Sequence, residues 1–294
     1  MQRNVVNLSL VLGILFVITA CVCPSQRNQS SGESNTSDQP TVAGKSTPDK
    51  TTGTTSGKDR KKDDGDFVAQ HETVSSTRYV EIDKQIKQEK LLERAADGLN
   101  QALILPHDIY LKSKDCGDVN AFYNPDEQSV TVCYELMEQF FKDFKSNGYD
   151  DHKAYDMMFD ATRFVFLHEI GHALIDTYKL PITANEEDAA DRCSSFINLE
   201  ELGDDGVKAV LAAAEAFQIE SRSNSGHSRN MADEHLLQEQ RFYNSLCMLY
   251  GSNPDKYPVI VEKGYLPKER AARCPTEYQR TVDSWQLLLE PWRK

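Results

Sequence analysis

The chain has no excess of positive charge and, past its first twenty residues, no long apolar run. Lys and Arg number 33 against 46 Asp and Glu, a formal charge of −13 over 294 residues. A net acidic chain repels phosphate backbones and anionic headgroups, so nucleic acid is not an expected partner. No stretch of about eighteen apolar residues follows the N-terminal segment, which excludes a polytopic membrane protein. Internal repeats of solenoid-like period are missing too. What the chain does have is 39% hydrophobic and 27% charged residues, enough for a packed core, but unevenly spread.

The N-terminus reads as an export signal. Arg3 supplies a short positive region, and Val5 to Ala20 is an apolar stretch too short and too poorly flanked for a membrane span. It runs into Ile18-Thr19-Ala20-Cys21, which resembles the bacterial lipobox, where small residues precede a cysteine that becomes acylated. The resemblance implies a signal peptide over residues 1–20, a lipidated Cys21, and a protein of the bacterial cell envelope. Val22 follows the cysteine where an Asp would suggest inner-membrane retention, so the outer membrane or the periplasmic face is expected in a Gram-negative cell. Ordinary secretion with cleavage near Ala20, or an uncleaved anchor, are the alternatives.

Residues 21–66 read as a tether. From Pro24 to Asp66, 27 of 43 residues are Ser, Thr, Gly, Pro, Asn or Gln, and seven basic residues cancel seven acidic ones. Such a segment has too little apolar surface to offset its ordering entropy. The remaining residues, 67–294, carry 25 basic and 39 acidic groups and fit one domain.

Seven cysteines in an exported chain need an account. Cys21 is assigned to lipid and Cys23 lies in the tether. Cys116 and Cys133 flank an expected hairpin, Val119–Tyr123 and Ser129–Val132, and Cys247 and Cys274 lie in the last segment. Four paired cysteines admit three connectivities; the pairs 116–133 and 247–274 are favoured because each closes a short loop. Cys193, beside Ala189, Ala190 and Phe196, reads as a buried thiol.

Apolar spacing predicts helices over about 82–103, 134–145, 151–178 (with Asp151 as cap), 186–199, 206–219, 234–250 and 268–289. Short strands are expected at Ile109–Leu111 and in the hairpin. The order gives an α+β fold weighted toward α, with a small antiparallel sheet.

The chemistry lies in the long helix. His168 and His172 are four residues apart in Val165-Phe166-Leu167-His168-Glu169-Ile170-Gly171-His172-Ala173-Leu174. They therefore project from one face about 6 Å apart, close enough to share one zinc ion. Glu169, one step round the helix, is placed to take a proton from an attacking water and hand it to a leaving amine. Two histidines alone can equally be core or surface residues, but the next helix begins Asn185-Glu186-Glu187-Asp188-Ala189-Ala190-Asp191. Glu187 is the expected third ligand, with Glu186 as the alternative, and Asp191 could accept the free ring N–H of a ligating histidine. An acidic helix start is favoured by the macrodipole in any case. A donor for a tetrahedral oxyanion is sought among His227, His235, Arg241 and Tyr243, with His235 preferred; His71, His107 and His152 read as surface residues.

His168-Glu169-Ile170-Gly171-His172 followed by Glu187-Asp188-Ala189-Ala190-Asp191 resembles the gluzincin metallopeptidases. Asn120–Tyr123, Cys133-Tyr134-Glu135, Glu186–Asp191 and Gln240–Asn244 further resemble a bacterial metallopeptidase family. The resemblance spans most of residues 67–294 and implies a zincin-like domain. It departs from thermolysin-like enzymes in the short connector, fourteen residues between His172 and Glu187. The leading expectation is a Zn2+ metallopeptidase acting on peptide or protein substrates from a lipid anchor. A degenerate zinc-binding lipoprotein serving as an interaction module, and a non-peptidase hydrolase, are the alternatives; Glu169 argues against the former, since a structural metal needs no base.

Overall fold

The computed structural model describes residues 61–183, 185–223 and 234–294. The signal segment, Cys21, most of the tether and His227 lie outside the described residues. The described chain belongs to one compact unit beginning at Lys61, six residues before the expected start. Asp64 and Gly65 donate backbone N–H groups to the Leu105 carbonyl, and Asp63 pairs with Lys294, so this short piece is bound to the domain rather than to the tether.

The elements run β1 (Phe67–His71), α1 (Val80–Gln88), α2 (Leu91–Ala102), β2 (Ile109–Lys114), β3 (Ala121–Asn124), β4 (Ser129–Cys133), α3 (Tyr134–Ser146), α4 (Asp151–Tyr178), α5 (Glu186–Glu201), α6 (Gly203–Ser223), α7 (Gln238–Ser252), α8 (Val259–Glu262), α9 (Lys268–Ala271) and α10 (Cys274–Leu289). The fold is α+β and mostly α, as expected. The sheet is not antiparallel, however. Its order is β1-β2-β4-β3, with β1 and β4 parallel to β2 and only β3 antiparallel to its neighbour β4. The hairpin was legible from its turn, whereas β1 is a five-residue strand beside the tether, with no alternation strong enough to mark it. A parallel β1–β2 pair needs a crossover, and α1 with α2 forms it.

That crossover is two helices, not one. Lys90 has φ 52°, a left-handed residue between α1 and α2 that hydrophobic spacing cannot register. The C-terminal helix likewise divides into α9 and α10, because Pro275 has no N–H and sits only in a first turn.

Helix α4 is the axis of the domain. The Asp150 side chain, one residue before the expected cap, accepts the Lys153 N–H, and Lys179 ends the helix in a left-handed conformation. Its apolar residues lie all around, so it is enclosed: Met158, Phe164, Ile170 and Leu174 are fully buried among α3, α5, α6 and the sheet. Two disulfides fix the periphery. Cys116 bonds Cys133, tying the exit of β2 to the end of β4, and Cys247 bonds Cys274, tying α7 to α10. Cys193 is a free, buried thiol, with burial pushing its ionisation far up. Among the described residues no helix is long and apolar enough to cross a membrane.

Candidate metal centre

Two helices build the site, and one glycine lets them meet. A Cβ added to Gly171 would lie 3.0 Å from the Ala190 Cα and 3.1 Å from the Cys193 Cβ, so α5 packs on α4 at a separation that a side chain would resist. Asn185 caps α5 by accepting the Glu187 and Asp188 N–H groups, which aims the first turn of α5 at the histidines.

His168 and His172 stand with their Nε2 atoms 3.2 Å apart. Glu187 meets both, Oε2 at 3.1 Å from the His168 Nε2 and Oε1 at 3.4 Å from the His172 Nε2. Each Nδ1 faces a carboxylate instead: His168 that of Asp191, and His172 that of Glu186, both at 2.8 Å. A carboxylate only accepts, so each Nδ1 donates its proton outward, and each Nε2 is turned to the other and to Glu187, where a cation would displace any proton it holds. Glu186 thus occupies the far side of His172, and Glu187 alone reaches both Nε2 atoms.

The donor set fits a cation. Glu187 Oε2 is buried and receives no hydrogen bond of good geometry. Ligand atoms of a tetrahedral zinc, bound at 2.0–2.1 Å, stand about 3.3 Å from one another, the separation these three side chains already hold. Electrostatics agree. Burial works against its charge, yet three imidazoles beside it hold the Glu187 carboxyl well below the usual range. Burial lowers the His168 pKa, but Asp191 and Glu187 prevail and lift it to about 9, so protons crowd where a cation would sit.

Glu169 is buried on the same turn, its Oε1 4.0 Å from the His168 Nε2. Burial pushes its carboxyl up, opposed by both histidines and by the Tyr123 backbone beside it. Tyr123 is a site residue that sequence reasoning missed, although it lay within the Asn120–Tyr123 segment. Its hydroxyl donates to Asp176 at 2.9 Å, pinning β3 to α4, and burial together with that bond raises its pKa to about 12.

The oxyanion candidates separate clearly. His235 lies in the loop before α7, not in a helix, with its Nε2 2.9 Å from Glu187 Oε2 and its ring stacked on His168 at 6.0 Å. Arg241 is buried and committed to Asp191. Tyr243 is exposed, packs on Phe242 and does not line the cleft. His71 and His152 are exposed and His107 half-buried, all away from the centre.

These groups open into a cleft of about 1410 Å³, walled by β3 and its approach, α3, the start of α5 and the His235 loop. A helix carrying two histidines and a buried glutamate, closed by a carboxylate from its neighbour at the wall of a cleft, is the arrangement of a metallopeptidase. The chain belongs to a family described as "putative metallopeptidase", whose model matches residues 71–289. No curated protein and no solved structure matches it.

Proposed function

We propose that this protein is a gluzincin-like zinc metallopeptidase, exported and held at a membrane by lipid on Cys21. The observation that carries the catalytic reading is the buried carboxylate of Glu169 beside the converging His168, His172 and Glu187. A structural metal needs no such neighbour. When bound, zinc lowers the pKa of water toward 7 and polarises the scissile carbonyl. Glu169 takes the proton from the attacking water and delivers it to the leaving amine. His235, beside Glu187 but outside the three-residue cluster, donates Nε2–H to the developing oxyanion.

The sheet favours a peptide as substrate. β3 is an edge strand, paired through Phe122 and Thr131 on one side only. By the alternation of an antiparallel ladder, Ala121 and Tyr123 turn their backbone groups away from β4, on a strand that lines the cleft. An extended peptide can pair there through its main chain.

Zinc stoichiometry by atomic emission, followed by cleavage of a peptide library with and without a chelator, tests the reading. About one zinc per chain and chelator-sensitive cleavage are expected. Zinc without cleavage would favour a degenerate, partner-binding protein, and no zinc would remove the metal centre altogether.

A further inference from the structure

Arg241 stands fifty residues from Asp191 in sequence, yet its guanidinium grips that carboxylate with two bonds, Nε to Oδ2 at 2.8 Å and Nη2 to Oδ1 at 2.7 Å. Asp191 Oδ1 is also the atom that accepts the His168 Nδ1–H, at 2.8 Å. The face of the guanidinium packs 4.1 Å from the centre of the Phe217 ring on α6, and the residue is only 8% exposed. Three helices therefore meet at one carboxylate: α5 supplies Asp191, α7 the fork that grips it, and α6 the ring that holds the fork. A lone carboxylate in this place could turn about its last bond, and the imidazole hydrogen-bonded to it would turn too. A bidentate fork removes that freedom, since two parallel donors fix the carboxylate plane where a single ammonium would not.

We infer that Arg241 is a positioning residue for the metal centre: acting through Asp191, it fixes the ring plane of His168 so that its Nε2 converges with the His172 Nε2 and the Glu187 carboxylate. Both hydrogen bonds of the Arg241 guanidinium go to Asp191. The same contact anchors the first turn of α7, directly after the loop that brings His235 to Glu187, so both sides of the centre register on one salt bridge. This inference rests on the metal-centre reading but not on peptide hydrolysis, and its test needs no turnover.

The test is a double-mutant cycle read as zinc affinity, by competition with a chromophoric chelator on the full chain. The variants are Arg241→Lys, which keeps the charge without the fork, Asp191→Asn, and the pair together. Each single variant is expected to bind zinc about 10–100-fold more weakly, the usual effect of losing a partner of a ligand. The pair should be no weaker than Asp191→Asn alone, because Arg241 acts only through that carboxylate. Cobalt(II) in place of zinc should show altered visible bands in Arg241→Lys, while the metal-free variant keeps the wild-type helical circular dichroism. Arg241→Met, which keeps an unbranched apolar side chain but loses both charge and fork, should resemble Arg241→Lys or be weaker in zinc affinity. Unchanged zinc affinity in Arg241→Lys, or losses that multiply in the pair, would overturn the assignment. A wild-type chain that binds no zinc would overturn the metal centre itself and this inference with it.

Discussion

At the scale of single residues, orientation decides chemistry. An imidazole has two nitrogens, and here each Nδ1 is committed to a carboxylate, so each Nε2 is the nitrogen turned toward the centre. Glu169 stands 4.0 Å from the His168 Nε2, which separates the proposed base from the proposed ligands. Glu169→Gln preserves size and hydrogen bonding but cannot take a proton. Zinc content should therefore stay at the wild-type level while turnover of a cleaved reporter peptide falls by about 10²-fold or more. A variant as active as the wild type would remove Glu169 from the reaction. His168, Glu169 and His172 were legible in the sequence because a helix makes i and i+4 neighbours without help from the rest of the fold. Arg241 was visible only as one oxyanion candidate among several. Its true partner, fifty residues away, depends on how α7 packs against α5.

Between elements, the governing feature is the approach of α5 to α4. The connector after α4 is short, and Gly171 leaves room for Ala190 and Cys193. Gly171→Ala sets two effects against each other. Alanine improves helix propensity by about 1 kcal/mol, whereas forcing a methyl between packed helices costs about 1–3 kcal/mol. A net loss of up to about 2 kcal/mol in the metal-free protein is expected, since the nearest obstruction is backbone and cannot swing aside. Because α5 also carries Glu187, zinc affinity should fall as well. Thermal melting of the metal-free protein and chelator competition measure the two effects. A variant that melts higher and binds zinc normally would show that the glycine does not set the helix spacing. The helix pattern itself was readable where an apolar stripe persisted, as in α3, and where helix-forming residues ran unbroken between clear end signals, as in α4. It misled where one backbone angle at Lys90 or one proline at position 275 interrupted the stripe without changing its spacing. It misled again at Glu234–Leu237, which precede α7 instead of opening it.

At the scale of the whole molecule, the proposed lipid places the catalytic domain at a surface, joined by the polar segment after Cys21. One acyl chain anchors only marginally, so stable attachment requires the multiple acylation that the lipobox resemblance implies. Cys21→Ser should move the protein from the membrane fraction to the soluble fraction or leave an unprocessed precursor. Membrane retention at unchanged precursor mass would sink the lipid reading.

The sequence by itself determined what depends on neighbours along the chain: the His-Glu-x-x-His helix, the acidic start of the following helix, the hairpin with its flanking cysteines and the α-rich class of the fold. Hydrogen bonding and side-chain spacing at short range follow from backbone geometry, so these features survive reading without a structure. Only the tertiary structure decided the parallel pairing of β1 with β2, the choice of Glu187 over Glu186 against both Nε2 atoms, the hydrogen bond from the Tyr123 hydroxyl to Asp176 and the fork of Arg241 on Asp191. Each of these depends on where a distant element comes to rest, and that is set by packing around α4 rather than by any local pattern.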